Sequence, residues 1–399
     1  MIKLTPMAPR QAGRLAAIAA CALAAAACDD FRSPSYAQTA HPSQEVRQNA
    51  IARAPPAALL APVSAPATIA AAPDPGNPTA PKPSAVQASV VQAPADPAAT
   101  AIEAASAEPG RAPSHELLIK VETLLDRADF SPGVIDGGVG ANLGRAITAF
   151  EAAHGLEVSG KPDQALLDAL VKSDPGPITQ TYLITKDDVQ GPFLGTLPHG
   201  FLALSKLHRL AYLDPLQELA ERFHMSRILL QRLNPGADLT AAGTSILVVR
   251  PGAGRLGEPV ARVEVDKAND QVRALGAGGK VVAEFPATVG STERPAPSGE
   301  WKVSAVVSDP TYTYDPARLT FGDKRHGRLT IAPGPNNPVG ATWIGLTAAT
   351  YGIHGTPDPA LVGKTASHGC VRLTNWDAAE LASALKKGTP VVFVGTAAS

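Results

Sequence analysis

Cysteine is scarce in this 399-residue chain: Cys21 and Cys28 lie near the start and Cys370 near the end. The part of the sequence that reads as folded therefore holds one thiol without a partner, which excludes an internal disulfide there. Net charge is nearly absent, −1 at pH 7, with no basic surplus to suit nucleic acid and no acidic block to serve as a binding tail. No apolar run spans a bilayer comfortably, since "LAAIAACALAAAAC", Leu15 to Cys28, falls short. C-x-x-C and H-x-x-x-H spacings are missing too, so the common zinc-ligand patterns are not present. Large apolar residues are sparse from Thr39 to Pro113, where Ala and Pro dominate and no core can form.

The N-terminus supplies what those absences leave room for. Lys3, Arg10 and Arg14 precede the short apolar run, the pattern of an export signal over residues 1–28. Its end has two open readings. "AAAC" before Asp29 resembles a lipoprotein site with an acylated Cys28, which would anchor the chain to a membrane lipid, whereas "SYAQ" around Ala37 resembles an ordinary cleavage site. Either predicts an exported, periplasmic protein. Residues 29–113 are expected to be an extended Ala/Pro-rich tether, because the prolines break the helices that alanine favours.

Three modules follow. Over 114–173, "HELLIKVETLLDRADF" sets Leu117, Leu118, Val121, Leu124 and Leu125 at helical spacing, and "ANLGRAITAFEAAHGL" and "KPDQALLDAL" predict two more helices. With "SPGVIDGGVG" and "EVSG", this segment resembles the peptidoglycan-binding domain family, departing from it at Glu151 for Gln and at Asn142–Leu143 for a Thr. Over 180–251, strand-like "TYLIT", two helices and "GTSILVV" give a β-α-α-β order that resembles a LysM domain, interrupted by an insertion at Lys186 to Arg209. Over 258–396 the pattern is strand-rich, with one clear helix at "NWDAAELASALKKG" capped by Thr374 or Asn375.

The last module contains "IHGTPDPALVGKTASHGCVRL", Ile353 to Leu373. Its lone thiol could be a nucleophile, a metal ligand with His354 and His368, or an inert buried residue. A thiol attacks as thiolate, and a nearby imidazole can take its proton and stabilise the charge. His368 lies two residues before Cys370. His354 lies sixteen residues upstream at the end of a strand-like run, where a returning strand can bring it beside the thiol. Gly369 removes side-chain bulk so that a substrate carbonyl can approach backbone N–H donors, and the Gly355 carbonyl can fix the tautomer of His354. Arg372 can attract a carboxylate or brace the loop. Trp343 lines the cleft or sits in the core, the long run Ser308 to Gly340 forms a lid or substrate wall, and His326 within it faces solvent.

The stretch resembles the catalytic domain of the L,D-transpeptidase (YkuD-type) family, whose signature pairs an upstream His-Gly with [ST]HGC.R. The resemblance implies a mainly-β catalytic domain preceded by a small three-helix bundle and a βααβ LysM-like module. It implies Cys370 as nucleophile, His354 as proton donor and acceptor, Gly355 as the backbone group orienting His354, and Gly369 as an oxyanion-hole amide. Ser367, His368, Arg372 and Trp343 would contact substrate. The implied reaction is acyl transfer on peptidoglycan: a donor tetrapeptide stem loses D-Ala, a Cys thioester forms, and a stem amine resolves it as a 3–3 crosslink. Water as acceptor would give an L,D-carboxypeptidase and a protein lysine an anchoring enzyme; the rival outside the enzyme class is a binding scaffold. None of these chemistries needs a cofactor or metal.

Overall fold

The computed structural model describes residues 96–291, 294–317, 325–367 and 369–395. The export signal, Cys28, the site near Ala37, most of the tether and His368 lie outside the described residues. Helix α1 (Pro97–Ala104) falls inside the segment expected to be extended, so the tether expectation fails at its C-terminal end. The cause is local: the Asp96 carboxylate accepts from the amides of Ala98 and Ala99, Pro97 occupies the first helical turn, and the next proline is Pro109. Tertiary burial completes it. Ile102 is fully buried, and the Glu103 carboxylate accepts from the amides of Ile178 and Thr179 at 2.8 and 2.9 Å.

Helices α2 (His115–Arg127), α3 (Ala141–Ala153) and α4 (Gln164–Ser173) follow, with Ser114 and Asp163 capping the first and third of them. The predicted face of α2, from Leu117 to Leu125, is buried as its spacing requires. Glu151 closes the turn after α3 by accepting from Ser159 N, Ser159 Oγ and Gly160 N at 2.7–2.9 Å. Every partner there is a donor, so an acceptor-only carboxylate suits that position.

Next come β1 (Thr179–Leu183), α5 (Lys186–Gln190), α6 (Phe201–Leu204), α7 (Pro215–Arg222), α8 (Arg227–Leu233) and β2 (Ser245–Val249). The two strands pair antiparallel, from Thr179 opposite Val249 to Leu183 opposite Ser245. The insertion carries α5 and α6, while α7 and α8 bury Leu219, Leu229 and Leu230 against the strand pair and the preceding helices.

The remaining strands are β3 (Arg262–Asp266), β4 (Gln271–Leu275), β5 (Val281–Pro286), β6 (Thr288–Val289), β7 (Gly299–Ser308), β8 (Tyr312–Tyr314), β9 (Leu329–Ile331), β10 (Thr342–Leu346), β11 (Gly352–His354), β12 (Val371–Arg372) and β13 (Pro390–Val394), with α9 (Asn375–Ser383) before the last. Nine of them form one sheet in the order β5-β4-β3-β13-β7-β10-β11-β12-β6. Strands β5 and β6, at opposite ends of that order, are joined by Ala287 alone, so the sheet curls until its ends meet. Val263, Val265, Phe285, Ile344 and Ile353 fill its interior. Thr374 is the residue that caps α9, its hydroxyl accepting from Asp377 N at 3.0 Å. Strands β8 and β9 form a separate antiparallel hairpin.

The modules interlock rather than hang in series. Ser131 N donates to Glu284 O at 2.8 Å and Glu284 N to Asp129 O at 2.9 Å, joining the helical module to β5. Ile135 N donates to His224 O at 2.8 Å, joining it to the β-α-α-β module.

Candidate active site

Strand pairing builds the site. Strand β11 lies parallel to β12 with His354 opposite Arg372, and antiparallel to β10 with His354 opposite Trp343. Val307 pairs with Trp343 and Thr288 with Arg372, so one row runs Val307, Trp343, His354, Arg372, Thr288 across five strands on one face. The side-chain period of two puts Gly352 and Cys370 on the same face, one step along from His354 and Arg372. The sixteen-residue gap thus closes as a parallel crossover that sets base and thiol diagonally on one surface.

The His354 ring is buried, and Nδ1–H donates to the carbonyl of its neighbour Gly355 at 2.6 Å. A carbonyl accepts only, so this bond fixes the tautomer and leaves Nε2 as the free lone pair. Burial, reinforced by the Arg372 cation and opposed by that hydrogen bond, lowers its pKa to about 4. The imidazole is therefore neutral at physiological pH and able to take a proton. The indole of Trp343, half-buried, stacks on the His354 ring at 5.6 Å and 17°. A side chain at Gly352 would enter that indole, which explains the glycine.

Cys370 is half-buried, and its thiol contacts the carbonyl of Thr350 at 3.8 Å. Burial pushes the thiol up, while the Gly352 N–H and Arg372 favour the thiolate. Thr350 itself holds φ at +72°, strained for a β-branched residue, directly beside the thiol. Arg372 is half-buried, and its Nε is buried without a hydrogen-bond partner among the described residues. It puts positive charge beside both reacting groups and leaves donor capacity for a ligand.

Three sequence expectations change in their reasons. Ser367 is buried, and its hydroxyl donates to Cys370 O at 2.6 Å while its amide donates to Gly290 O at 2.8 Å. It therefore braces the turn beneath the thiol instead of contacting substrate as expected, because its only hydroxyl proton is committed to the backbone. Gly369 is needed for φ +109°, and a Cβ there would press on Tyr351, a backbone reason for the glycine that the sequence did not reveal. His326, expected at the solvent surface, is half-buried.

Some neighbours carry no sequence signal. The Asn375 Oδ1 accepts from Ala341 N at 3.1 Å and fills the space that a side chain at Gly355 or Gly340 would need. Its Nδ2 donates to Glu221 of α7 at 3.0 Å and to Pro335 O at 3.2 Å. Asn375 thus seats the peptide that orients His354, and a residue of another module seats Asn375. Asn142, noted as a family departure, donates to Val362 O at 3.0 Å within the loop between His354 and Cys370. Tyr312 on β8 is close enough that charge on Cys370, after burial, helps push its phenol up to about 12.

Comparisons with known proteins place two parts of the chain in families of known description. Residues 261–393 match the family model described as "L,D-transpeptidase catalytic domain", and residues 114–170 match "Putative peptidoglycan binding domain". The chain is 30% identical over 180 residues to "Putative L,D-transpeptidase YkuD" of Bacillus licheniformis, covering 45% of this chain and 92% of that protein. The same figures hold for the protein of that name from Bacillus subtilis. The catalytic domain of the E. faecium L,D-transpeptidase, solved by NMR, is 22% identical over 35% of this chain and 99% of that one, at a TM-score of 0.27.

Proposed function

The chain belongs to the L,D-transpeptidase family, and on that premise we propose that it is a cysteine acyltransferase of peptidoglycan stem peptides, acting in the cell wall outside the cytoplasm. Cys370 is the nucleophile and His354 Nε2 the proton carrier. As the thiol loses its proton to His354, sulfur attacks the carbonyl between the L-centre of meso-diaminopimelate and the terminal D-Ala. The oxyanion forms beside the Gly369 and Cys370 amides. His354 then gives its proton to the leaving D-Ala amine, and a thioester remains on Cys370. An amine of a second stem attacks the thioester, His354 takes the proton, and the 3–3 crosslink leaves a free thiol.

One observation carries this reading: the Nδ1–H bond from His354 to Gly355 O, on a ring set by strand pairing on the same face as Cys370. It gives the base one tautomer, one free nitrogen and a neutral resting state. Arg372, with its unpaired Nε, receives a substrate carboxylate. Trp343 lines the cleft beside the ring, and His368 completes the signature. The 114–173 helices hold the enzyme on peptidoglycan, and the 180–251 module is LysM-like, a reading supported by its antiparallel strand pair and by the two helices, α7 and α8, that lie between those strands outside the inserted α5 and α6.

Intact mass spectrometry of the protein incubated with disaccharide-tetrapeptide tests the reading. The expected result is an adduct on Cys370 equal to the donor less D-Ala, released by added stem amine as crosslinked dimer. An enzyme with Cys370→Ala that still released D-Ala would overturn the nucleophile. Release by water alone would move the assignment to a carboxypeptidase.

A further inference from the structure

The side chain that backs the catalytic imidazole is gripped from outside the catalytic domain. Asn375, at the start of α9, is buried with its amide fixed in direction. Its Oδ1 accepts from Ala341 N at 3.1 Å, and its Nδ2 donates to Glu221 Oε1 at 3.0 Å and to Pro335 O at 3.2 Å. Glu221 lies in the last turn of α7, in the β-α-α-β module, and the same Oε1 accepts from the Tyr212 hydroxyl at 3.1 Å. The segment that carries the Pro335 carbonyl is tied to that module as well. Asn336 N donates to Leu210 O at 3.0 Å, Asn336 Nδ2 to Ala211 O at 2.7 Å, and Gln217 Nε2 to Asn336 Oδ1 at 2.9 Å. Both acceptors of the Asn375 amide are therefore set by the preceding module.

The other side of Asn375 meets the peptide that sets His354. Gly355 N is bonded into the sheet through Thr342 O at 3.1 Å, while the carbonyl of the next peptide, Gly355–Thr356, takes the Nδ1–H of His354. A side chain at Gly340 would strike Gly355 C, Thr356 N and Asn375 Oδ1, and one at Gly355 would strike Asn375 itself. That peptide is thus packed between Gly340 and Asn375 with no room for a methyl group. Without Glu221, one Nδ2 hydrogen of Asn375 would be buried unpaired, a cost the amide escapes by turning away from the peptide it backs. From this we infer that Glu221 is a positioning residue for the acyl-transfer site, holding Asn375 and through it the Gly355 carbonyl that aims His354 Nε2. As far as it concerns turnover, this rests on the proposed function. One oxygen takes both bonds, so the position requires an acceptor and not a charge.

Because the effect runs through Asn375, it should vanish where the Asn375 side chain is already gone. In the full-length protein, Glu221→Leu fills the space but accepts no bond, and should lower kcat for the tetrapeptide donor roughly tenfold with KM within about twofold. Glu221→Gln, whose amide oxygen can take both bonds, should return kcat to within about twofold of wild type. Asn375→Ala should lower kcat roughly tenfold by itself, and adding Glu221→Leu to it should change kcat by less than about twofold. General loosening, followed by thermal melts, would instead repeat the loss in both backgrounds. Nitrogen NMR on protein labelled at histidine, with the His354 ring assigned by its absence in His354→Gln, reads the tautomer without turnover. Wild type and Glu221→Gln should show a proton on Nδ1 and a bare Nε2, and Glu221→Leu a mixture, since the tautomer follows the bond that Nδ1 makes. An unchanged kcat, a loss of equal size with and without the Asn375 side chain, or a single tautomer in Glu221→Leu would each overturn the role of Glu221. A wild-type protein inert to tetrapeptide would count against the proposed function, while the tautomer still decided the positioning.

Discussion

Two buried histidines among the described residues give Nδ1–H to an oxygen, yet their proton affinities are shifted in opposite directions. His354 in the candidate active site donates to the Gly355 carbonyl and faces the Arg372 cation, which with burial lowers its pKa to about 4. His224 at the junction of the modules donates to both oxygens of the buried Asp126 carboxylate at 3.0 Å and stacks on Trp376 at 4.9 Å. Burial pulls its pKa down most strongly, but the charge and hydrogen bond of Asp126, joined by the charges of Asp377 and Glu221, together outweigh that and raise it. A neutral partner and a neighbouring cation favour the neutral imidazole, while a carboxylate partner favours the protonated one. Burial is common to both; the oxygen opposite Nδ1 decides.

Exchanging the same side chain at the two positions breaks the comparison most sharply. His354→Gln removes the proton carrier and should lower kcat/KM for the donor by roughly 10²–10⁴ with little change in Tm. His224→Gln leaves the buried Asp126 carboxylate without its imidazole partner and should cost about 3 kcal/mol of stability, while kcat/KM of the folded fraction stays within about threefold. Parallel melts and donor kinetics read both. If His224→Gln lost activity at unchanged Tm, the division of labour would be wrong.

The two regions also differ in how far the sequence foretold them. His354, Gly355, Ser367 and Cys370 lie within one short stretch, and a strand-loop-strand reading was enough to bring them together. The junction joins residues far apart in the chain: Asn142 to Val362 across 220 positions, Asn375 to Glu221 across 154, His224 to Asp126 across 98. No periodicity marks such partners, so three modules read as beads prove to be interlocked. Helix α1 escaped notice because Ala/Pro composition over 29–113 masked one proline-free run with a capping Asp. Ser367 was placed correctly in the motif but given the wrong partner, since hydroxyl direction depends on a turn that residue type does not specify.

Arg372 sharpens the contrast from the active-site side. Burial chiefly keeps His354 a base and the Arg372 cation adds to it, so Arg372→Gln should let the His354 pKa rise in part and move the acid limb of kcat/KM upward from about pH 4. Loss of the substrate-facing charge should also lower kcat/KM about tenfold at neutral pH. The junction lies outside that field, so the Tm change on the same substitution should not resemble that of His224→Gln. An acid limb left in place would remove Arg372 from the account of His354.

The smallest effect separates the regions without mutation. At the junction, burial pushes Asp377 and Glu221 each up to about 7, and both Asp377 oxygens lie without a hydrogen-bond partner among the described residues. His224 is raised as well. All three bind protons more tightly folded than unfolded, so their stabilisation is complete below the unfolded pKa values and is lost as pH rises through the folded ones. Between pH 5 and pH 8 the Tm should therefore fall, by about 2–5 °C. Over the lower part of that window His354 stays neutral and the thiol protonated, so kcat/KM should hold steady while Tm declines. Asp377→Asn, uncharged at every pH, should flatten the Tm slope and leave the rate profile alone. A Tm that rose across this window would mean the junction holds its carboxylates ionised, and the opposition between its histidine and that of the active site would no longer rest on the charge opposite Nδ1.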